Sequence, residues 1–286
     1  HIYLELPDKQ ESIEIFKVHL KPIKKAKDID VELLASMCPG FSGADIANIC
    51  NEAALIAARQ HKKYVYQSDF MKARDRVVGG LERKNRITSQ KETEIIAYHE
   101  AGHAVVSWYL KHVASLVKVS IIPRGKSLGS AWYLPEERQI VTKSQFIDQI
   151  CASLGGRVAE EIVFNDISSG ALDDLEKVTK QAYSMVAYFG LDEEIGPISF
   201  YDSTGKIEQL LVKPYSEDTA QKIDKEVRNL INSAYERTRE LLVEHRDELE
   251  KLTRLLIKQE VVEKEELEEI LGKRNNKNEQ VTSDNL

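Results

Sequence analysis

Ala97-Tyr-His-Glu-Ala-Gly-His-Ala-Val-Val106 decides how this chain is read, because His99 and His103 stand four residues apart with Glu100 between them. That is H-E-x-x-H. Each helical residue turns the direction by about 100°, so on an α-helix the two imidazoles share one face, one turn apart, and both can reach one ion. Neutral imidazole is a good ligand for Zn2+. A catalytic zinc takes three protein ligands and keeps one position open, so the pair must recruit a third group from elsewhere in the chain. Glu100 comes next on the spiral, where its carboxylate can take a proton from water that the metal has made acidic. The surroundings favour a buried helix: Ile95, Ile96, Val105, Val106 and Trp108 are apolar, and no proline falls between Lys91 and Ile122. The competing reading is a core helix whose histidines are merely hydrogen-bonded.

The third ligand is sought where a carboxylate would point into a core. Ile167-Ser-Ser-Gly-Ala-Leu-Asp-Asp-Leu175 leads into a helix that should extend to about Phe189. With Asp174 as zero, Val178, Ala182, Met185 and Phe189 fall within roughly 20° to 80° and define the buried face, with Asp174 at its edge. Asp173 falls instead with Lys177, Lys180 and Ser184 on a solvent face. A carboxylate turned towards a core needs a strong partner, which a zinc ion supplies. Asp174 is therefore the expected third ligand. Glu160, in Ala159-Glu-Glu-Ile162, is the runner-up and equally suits an acceptor for an imidazole N–H.

The whole chain has 286 residues, 40 Lys and Arg against 47 Asp and Glu, and a net charge of −7. Its length suits two domains. The excess acid lies beyond Arg86, which argues against nucleic acid as a partner. Cys38, Cys50 and Cys151 lie far apart without C-x-x-C spacing and read as small core residues in a reducing compartment. No run of eighteen apolar residues appears and the chain begins at His1, so we expect a piece of a longer protein, itself soluble, whose membrane anchor or leader lies outside these residues.

The first region reads as a small helical bundle. Ile2 to Leu6 alternates like a strand end. Pro7-Asp8 starts a helix bearing Ile13, Ile15, Phe16 and Leu20, and Pro22 stops it. Asp30 to Met37 is a short helix. Ser42 caps a long alanine-rich helix through Arg59, and Gln67-Ser-Asp-Phe starts a fourth that runs to about Val78. Val77-Val-Gly-Gly-Leu81 suits a helix end or a hinge at Gly80. Beyond the His99 helix, Leu116 to Ile122 and Ala131 to Leu134 read as two strands, whose exposed edge would hold an extended peptide. Lys143 to Val163 is a helix interrupted by Gly155-Gly156, for which close helix packing is the expected reason. Asp218 to Lys258 reads as almost continuous helix and Val262 to Leu271 as a last short one. Arg274 to Leu286 is polar, without periodicity, and expected to be disordered. A phosphate-binding loop is missing: Gly125-Lys126-Ser127 has Ser120 where the first glycine belongs.

Two sets of phrases carry a family resemblance. Leu4-Glu-Leu-Pro-Asp8, Pro39-Gly-Phe-Ser-Gly-Ala-Asp45 and Asn51-Glu-Ala-Ala-Leu-Ile-Ala-Ala-Arg59 resemble the lid subdomain of AAA ATPases. Tyr98-His-Glu-Ala-Gly-His-Ala104, Ser120-Ile-Ile-Pro-Arg-Gly125, Leu154-Gly-Gly-Arg157, Ser169-Gly-Ala171 with Asp174, and Tyr215-Ser-Glu217 resemble the peptidase part of the FtsH-type AAA metalloproteases, bacterial and mitochondrial. The metzincin pattern is excluded, since Val106 and Tyr109 stand where its glycine and third histidine would be.

The resemblance implies a mainly α protein: an AAA lid over residues 1–80, a linker over 81–92, a mostly helical zincin-like peptidase domain with a small β-sheet over 93–272, and a tail over 273–286. It implies one Zn2+ per chain on His99, His103 and Asp174, with Glu100 as catalytic acid and base. In the intact enzyme it implies ATP and Mg2+, held through a motor absent here and lying near Gly43 and Ala44, with Gly80 as a hinge between domains. The implied partners are polypeptide substrates, a homo-hexamer, and a bacterial inner membrane (catalytic part facing the cytoplasm) or a mitochondrial one (matrix side). The implied activity is degradation of membrane and short-lived or misfolded proteins. The alternative from another class is an inactive oligomerisation scaffold with a vestigial site.

Overall fold

The computed structural model describes residues 5–80, 89–123, 128–134, 140–202 and 213–274. They fall into two compact units, the first built around residues 5–80 and the second around residues 89–121, 129–133, 140–202 and 213–274. The expectations for Ile2 to Leu4, for Gly125-Lys126-Ser127, for the linker from Leu81 to Thr88 and for the tail beyond Arg274 lie outside the described residues.

The first unit is all helical apart from one bridge: α1 (Lys9–Leu20), α2 (Val31–Ser36), α3 (Gly43–Arg59) and α4 (Gln67–Gly79). Local chemistry sets the starts. Asp8 and Glu11 form a reciprocal capping box on α1, and Ser42 and Asp45 form another on α3. Each satisfies helix N–H groups that would otherwise lack a partner. On α4, which starts at Gln67 as expected, the N-cap position is Tyr66, and Asp69 reaches back to accept the Tyr66 N–H at 3.0 Å. Phe16, Leu20, Leu34, Ile46, Ile49 and Phe70 form the core. Small residues on the inner side of α3, Ala53 and Ala57, let neighbouring helices approach. Gly80 closes α4 with φ of 82°, a left-handed backbone that a side chain disfavours.

The second unit is organised around α5 (Gln90–Tyr109), which starts at a capping box of Ser89 and Glu92. Every residue from Ile96 to Trp108 on α5 is buried, so this stretch of the helix is enclosed on all sides. Packed on it are α6 (Lys143–Phe164) and a three-stranded antiparallel sheet in the order β2-β1-β3: β1 (Leu116–Ser120), β2 (Ser130–Tyr133) and β3 (Val261–Glu263). The strand β3 corrects the sequence expectation, which began the last helix at Val262. That helix starts only at Lys264, and Val262 pairs with Val119 instead. With β3 on one side, β1 is central and the outer edge facing away from it belongs to β2.

Beyond α6, a 3-10 turn (Ser169–Ala171) launches α7 (Leu172–Tyr183), which a π-helical turn, Ser184–Tyr188, continues. The Phe189 N–H donates to the Ser184 carbonyl five residues back, at 3.0 Å. One extra residue in that turn rotates the positions after it, so Val178, Ala182 and Met185 are buried as expected while Phe189 is 55% exposed. The long helix expected over 218–258 is two: α8 (Glu217–Glu244) and α9 (Arg246–Gln259), separated at His245. The break redirects α9 so that Leu249, Leu252, Thr253 and Leu256 are buried and the helix packs on α5. α10 (Lys264–Leu271) ends the fold. Arg274, expected at the start of a structureless tail, donates to the carbonyls of Leu110, Val113 and Ala114 just past α5. All three cysteines are free and buried. Burial pushes the Cys38 thiol up to about 11 and the Cys50 thiol up to about 12, which makes them packing groups.

Candidate metal centre

Glycines decide how closely α5 and α6 meet. A Cβ added to Gly102 would lie 2.3 Å from the Gly155 carbonyl oxygen, and one added to Gly155 would lie 2.6 Å from that of Gly102. The two backbones are in direct contact, which offsets the roughly 1 kcal/mol that each helical glycine costs relative to alanine. Gly156 serves the site itself, because its missing side chain leaves room for the His99 ring, whose Nε2 would be 2.5 Å from a Cβ there.

Both histidines are tied at the ring nitrogen that faces away from the cluster. His99 Nδ1 lies 2.6 Å from Glu160 Oε1, and His103 Nδ1 lies 2.8 Å from the Ala152 carbonyl oxygen. A carbonyl only accepts, so His103 carries its proton on Nδ1, and a carboxylate partner selects the same tautomer for His99. The Nε2 atoms then present lone pairs. They stand 3.1 Å apart, and Asp174 Oδ2 lies 3.3 Å from each. Among the described residues, His99, His103 and Asp174 form the one such group of possible metal donors. Three acceptors converging at this spacing repel unless a cation lies between them. A tetrahedral zinc with bonds of about 2.0–2.1 Å separates its ligand atoms by about 3.3 Å, so the donor set and its spacing fit that ion.

Electrostatics point the same way. Burial works against charge on all these groups, and for Glu100 it prevails over the neighbouring His103 and His99, raising the carboxyl above its usual range. For Asp174, the His103 and His99 rings beside it outweigh burial and hold the carboxylate well below its usual range. Glu160 is lowered too, against burial, by His99 and Ser168. The His99 ring is driven down by burial but rises to about 10 because Asp174 and Glu160 flank it. The cluster thus demands positive charge, which a divalent ion meets more fully than one proton.

The structure brings His99, His103 and Asp174 to one point. It puts Glu160 behind His99, where its second oxygen accepts the Ser168 N–H at 2.9 Å. Asp173 is exposed, while the Asp174 side chain is 19% exposed with Lys177 Nζ 3.7 Å away. Glu100 is buried beside the histidines and packs against Gly129, where a Cβ would come within 2.6 Å of its carboxylate. Sequence reasoning missed Gly129, the Ala152 carbonyl, Ser168, and Tyr133, whose hydroxyl lies 2.9 Å from Ser107 Oγ. None of these four had a readable signal of its own, although Ser107, the partner of Tyr133, stands four residues beyond His103 on the same helical face.

Two histidines one helical turn apart, a carboxylate from a distant helix and a buried glutamate beside them define a metallopeptidase. Comparison with known proteins gives the family. The Peptidase family M41 model matches residues 86–270, and the AAA+ lid domain model matches residues 28–72. This chain belongs to peptidase family M41. It is 56% identical over 273 residues to an ATP-dependent zinc metalloprotease FtsH of Parabacteroides distasonis, covering 96% of this chain and 40% of that protein. It is 52% identical over 275 residues to the FtsH of Rhodothermus marinus, with the same coverage. With the mitochondrial inner membrane m-AAA protease component AFG3L1 of Mus musculus the identity is 51% over 277 residues, 96% of this chain and 35% of that protein. The chain spans about two fifths or less of the length of these relatives. Among the described residues no helix is long and apolar enough to cross a membrane.

Proposed function

We propose that this chain is the zinc-dependent endopeptidase part of a longer ATP-dependent protease, with His99, His103 and Asp174 holding the metal and Glu100 acting as acid and base. The observation that carries this reading is the convergence of three lone-pair donors at 3.1 to 3.3 Å, with both imidazoles locked from behind. A zinc ion supplies Lewis acidity there, polarising a carbonyl and making water acidic near neutral pH. The residues do the rest. Glu160 and the Ala152 carbonyl hold the imidazoles in one tautomer and orientation. Glu100, kept from bulk water and with its acidity weakened by burial, takes a proton from the attacking water and returns it to the departing amine. The outer edge of β2 offers backbone groups for an extended peptide, and Gly129, just before β2, leaves room for the Glu100 carboxylate beside it.

The remaining assignments rest on the relatives' names and the family resemblance. Residues 1–80 form the AAA lid, 81–92 the linker, 93–272 the peptidase domain and 273–286 a tail. ATP and Mg2+ act through a motor outside these residues, with Gly43 and Ala44 near the nucleotide and Gly80 as the hinge. The whole protein is a membrane-anchored homo-hexamer that degrades membrane and short-lived or misfolded proteins. It sits in a bacterial inner membrane with its catalytic part in the cytoplasm or, for a mitochondrial source, on the matrix side. Half-buried Val227, Leu230 and Ile231 and exposed Val243 along α8 leave apolar surface that suits such an assembly. The test is casein hydrolysis beside zinc content. Glu100→Gln should keep about one zinc per chain and lose hydrolysis by orders of magnitude. Retained hydrolysis would give the acid–base role to another residue.

A further inference from the structure

The metal-facing side chains come from two separate places, α5 and the first turn of α7, and Ser168 lies at the junction of the two supports. Glu160 spans them, accepting from His99 Nδ1 with one oxygen and from the Ser168 N–H with the other. Arg157 stands three residues before Glu160 on α6, so the two side chains leave the same helical face about one turn apart. Its Nη1 donates to the Ser168 carbonyl oxygen at 3.0 Å. The Ser168 N–H belongs to the peptide plane before its Cα and the carbonyl to the plane after it, so the two grips together fix both backbone dihedrals of Ser168. Ser168 Oγ then accepts the Gly170 N–H at 3.1 Å and shapes the 3-10 turn that launches α7. On its other side Arg157 lies beside the hydroxyl of Tyr235 on α8, which donates to Glu161.

We propose that Arg157 is a positioning residue for the metal centre: by holding the Ser168 carbonyl while Glu160 holds the Ser168 N–H, it fixes where α7 begins and so where Asp174 meets the two imidazoles. It touches neither metal nor substrate. The proposal rests on the reading that His99, His103 and Asp174 bind zinc. Removing the guanidinium leaves Ser168 gripped on one side only, and the Asp174 carboxylate loses its fixed spacing. Lysine keeps one donor on a stem of similar length and should restore most of the grip.

The test uses this 286-residue chain, with zinc affinity from chelator competition and the visible spectrum of the Co2+-substituted protein as readouts. Arg157→Met should weaken zinc binding roughly 10- to 100-fold and change the Co2+ bands, while Arg157→Lys stays within roughly threefold of the parent with the parental spectrum. A methionine variant with parental affinity and spectrum overturns the proposal, as does a lysine variant that loses affinity tenfold without any spectral change. Should the methionine variant not fold, the lysine variant decides by the same two readouts. A parent chain that binds no zinc would instead overturn the metal reading, and this proposal with it.

Discussion

α3 and α5 begin alike and end differently. Both are long helices opened by a serine capping box, Ser42 with Asp45 and Ser89 with Glu92. Yet α3 buries one side, at Ile46, Ile49, Cys50, Ala53 and Ala57, while α5 is buried at every position from Ile96 to Trp108. On α3 the charged residues have a solvent face to occupy. Between Ile96 and Trp108 on α5 they have none, so His99, Glu100 and His103 must be satisfied inside the protein, and each bond they make becomes a constraint on the site. Polar residues in a helix enclosed on all sides are therefore a sign of chemistry in a way that the same residues on a one-sided helix are not.

The largest effects should come from the polar groups inside α5 and their partner on α7. Asp174→Ala removes one of three donors and should abolish stoichiometric zinc and hydrolysis, whereas Asp173→Ala, on the exposed face, should change neither; zinc analysis of the two purified variants separates them. Equal losses would remove the distinction between the two faces of α7. Next comes the helix contact. Gly102→Ala forces a Cβ against the Gly155 carbonyl and should lower the stability of the metal-free chain by about 1–3 kcal/mol in urea unfolding. Gly43→Ala on α3 meets nothing nearer than Ile15 at 3.9 Å, so it should be neutral or stabilising by up to about 1 kcal/mol. The caps should show the smallest and most similar losses: Ser42→Ala and Ser89→Ala remove the same bond from the two helices and should each cost about 1 kcal/mol. A much larger loss at Ser42 than at Ser89 would mean that the two starts are not equivalent.

Much of this was legible in residues whose signal is local. Asp8 and Ser42 announce helix starts because a capping side chain acts within one turn, and Ser89 and Thr142, which the structure shows in the same role, carry the same local signal. The histidine spacing and the face of α7 follow from helical periodicity alone. The features that were not legible depend on partners far along the chain. Three residues at Val261–Glu263 become a strand only because β1 has a free edge there, and no periodicity of their own marks them. The π-turn that exposes Phe189 and the break at His245 are set by packing, since neither carries a proline or a glycine. The Ala152 carbonyl behind His103 is backbone and has no residue signature at all. Gly155 and Gly156 were visible as an oddity, but that one meets Gly102 and the other the His99 ring required the assembled helices.

One measurement bears most directly on the central claim: anomalous scattering at the zinc edge from crystals of the zinc-loaded chain. The account predicts one strong peak per chain at about 2.0–2.2 Å from His99 Nε2, His103 Nε2 and a carboxylate oxygen of Asp174, with Glu160 remaining on His99 Nδ1. A peak bound through Glu160 or Asp173, or no ordered peak in crystals shown to contain zinc, would contradict it.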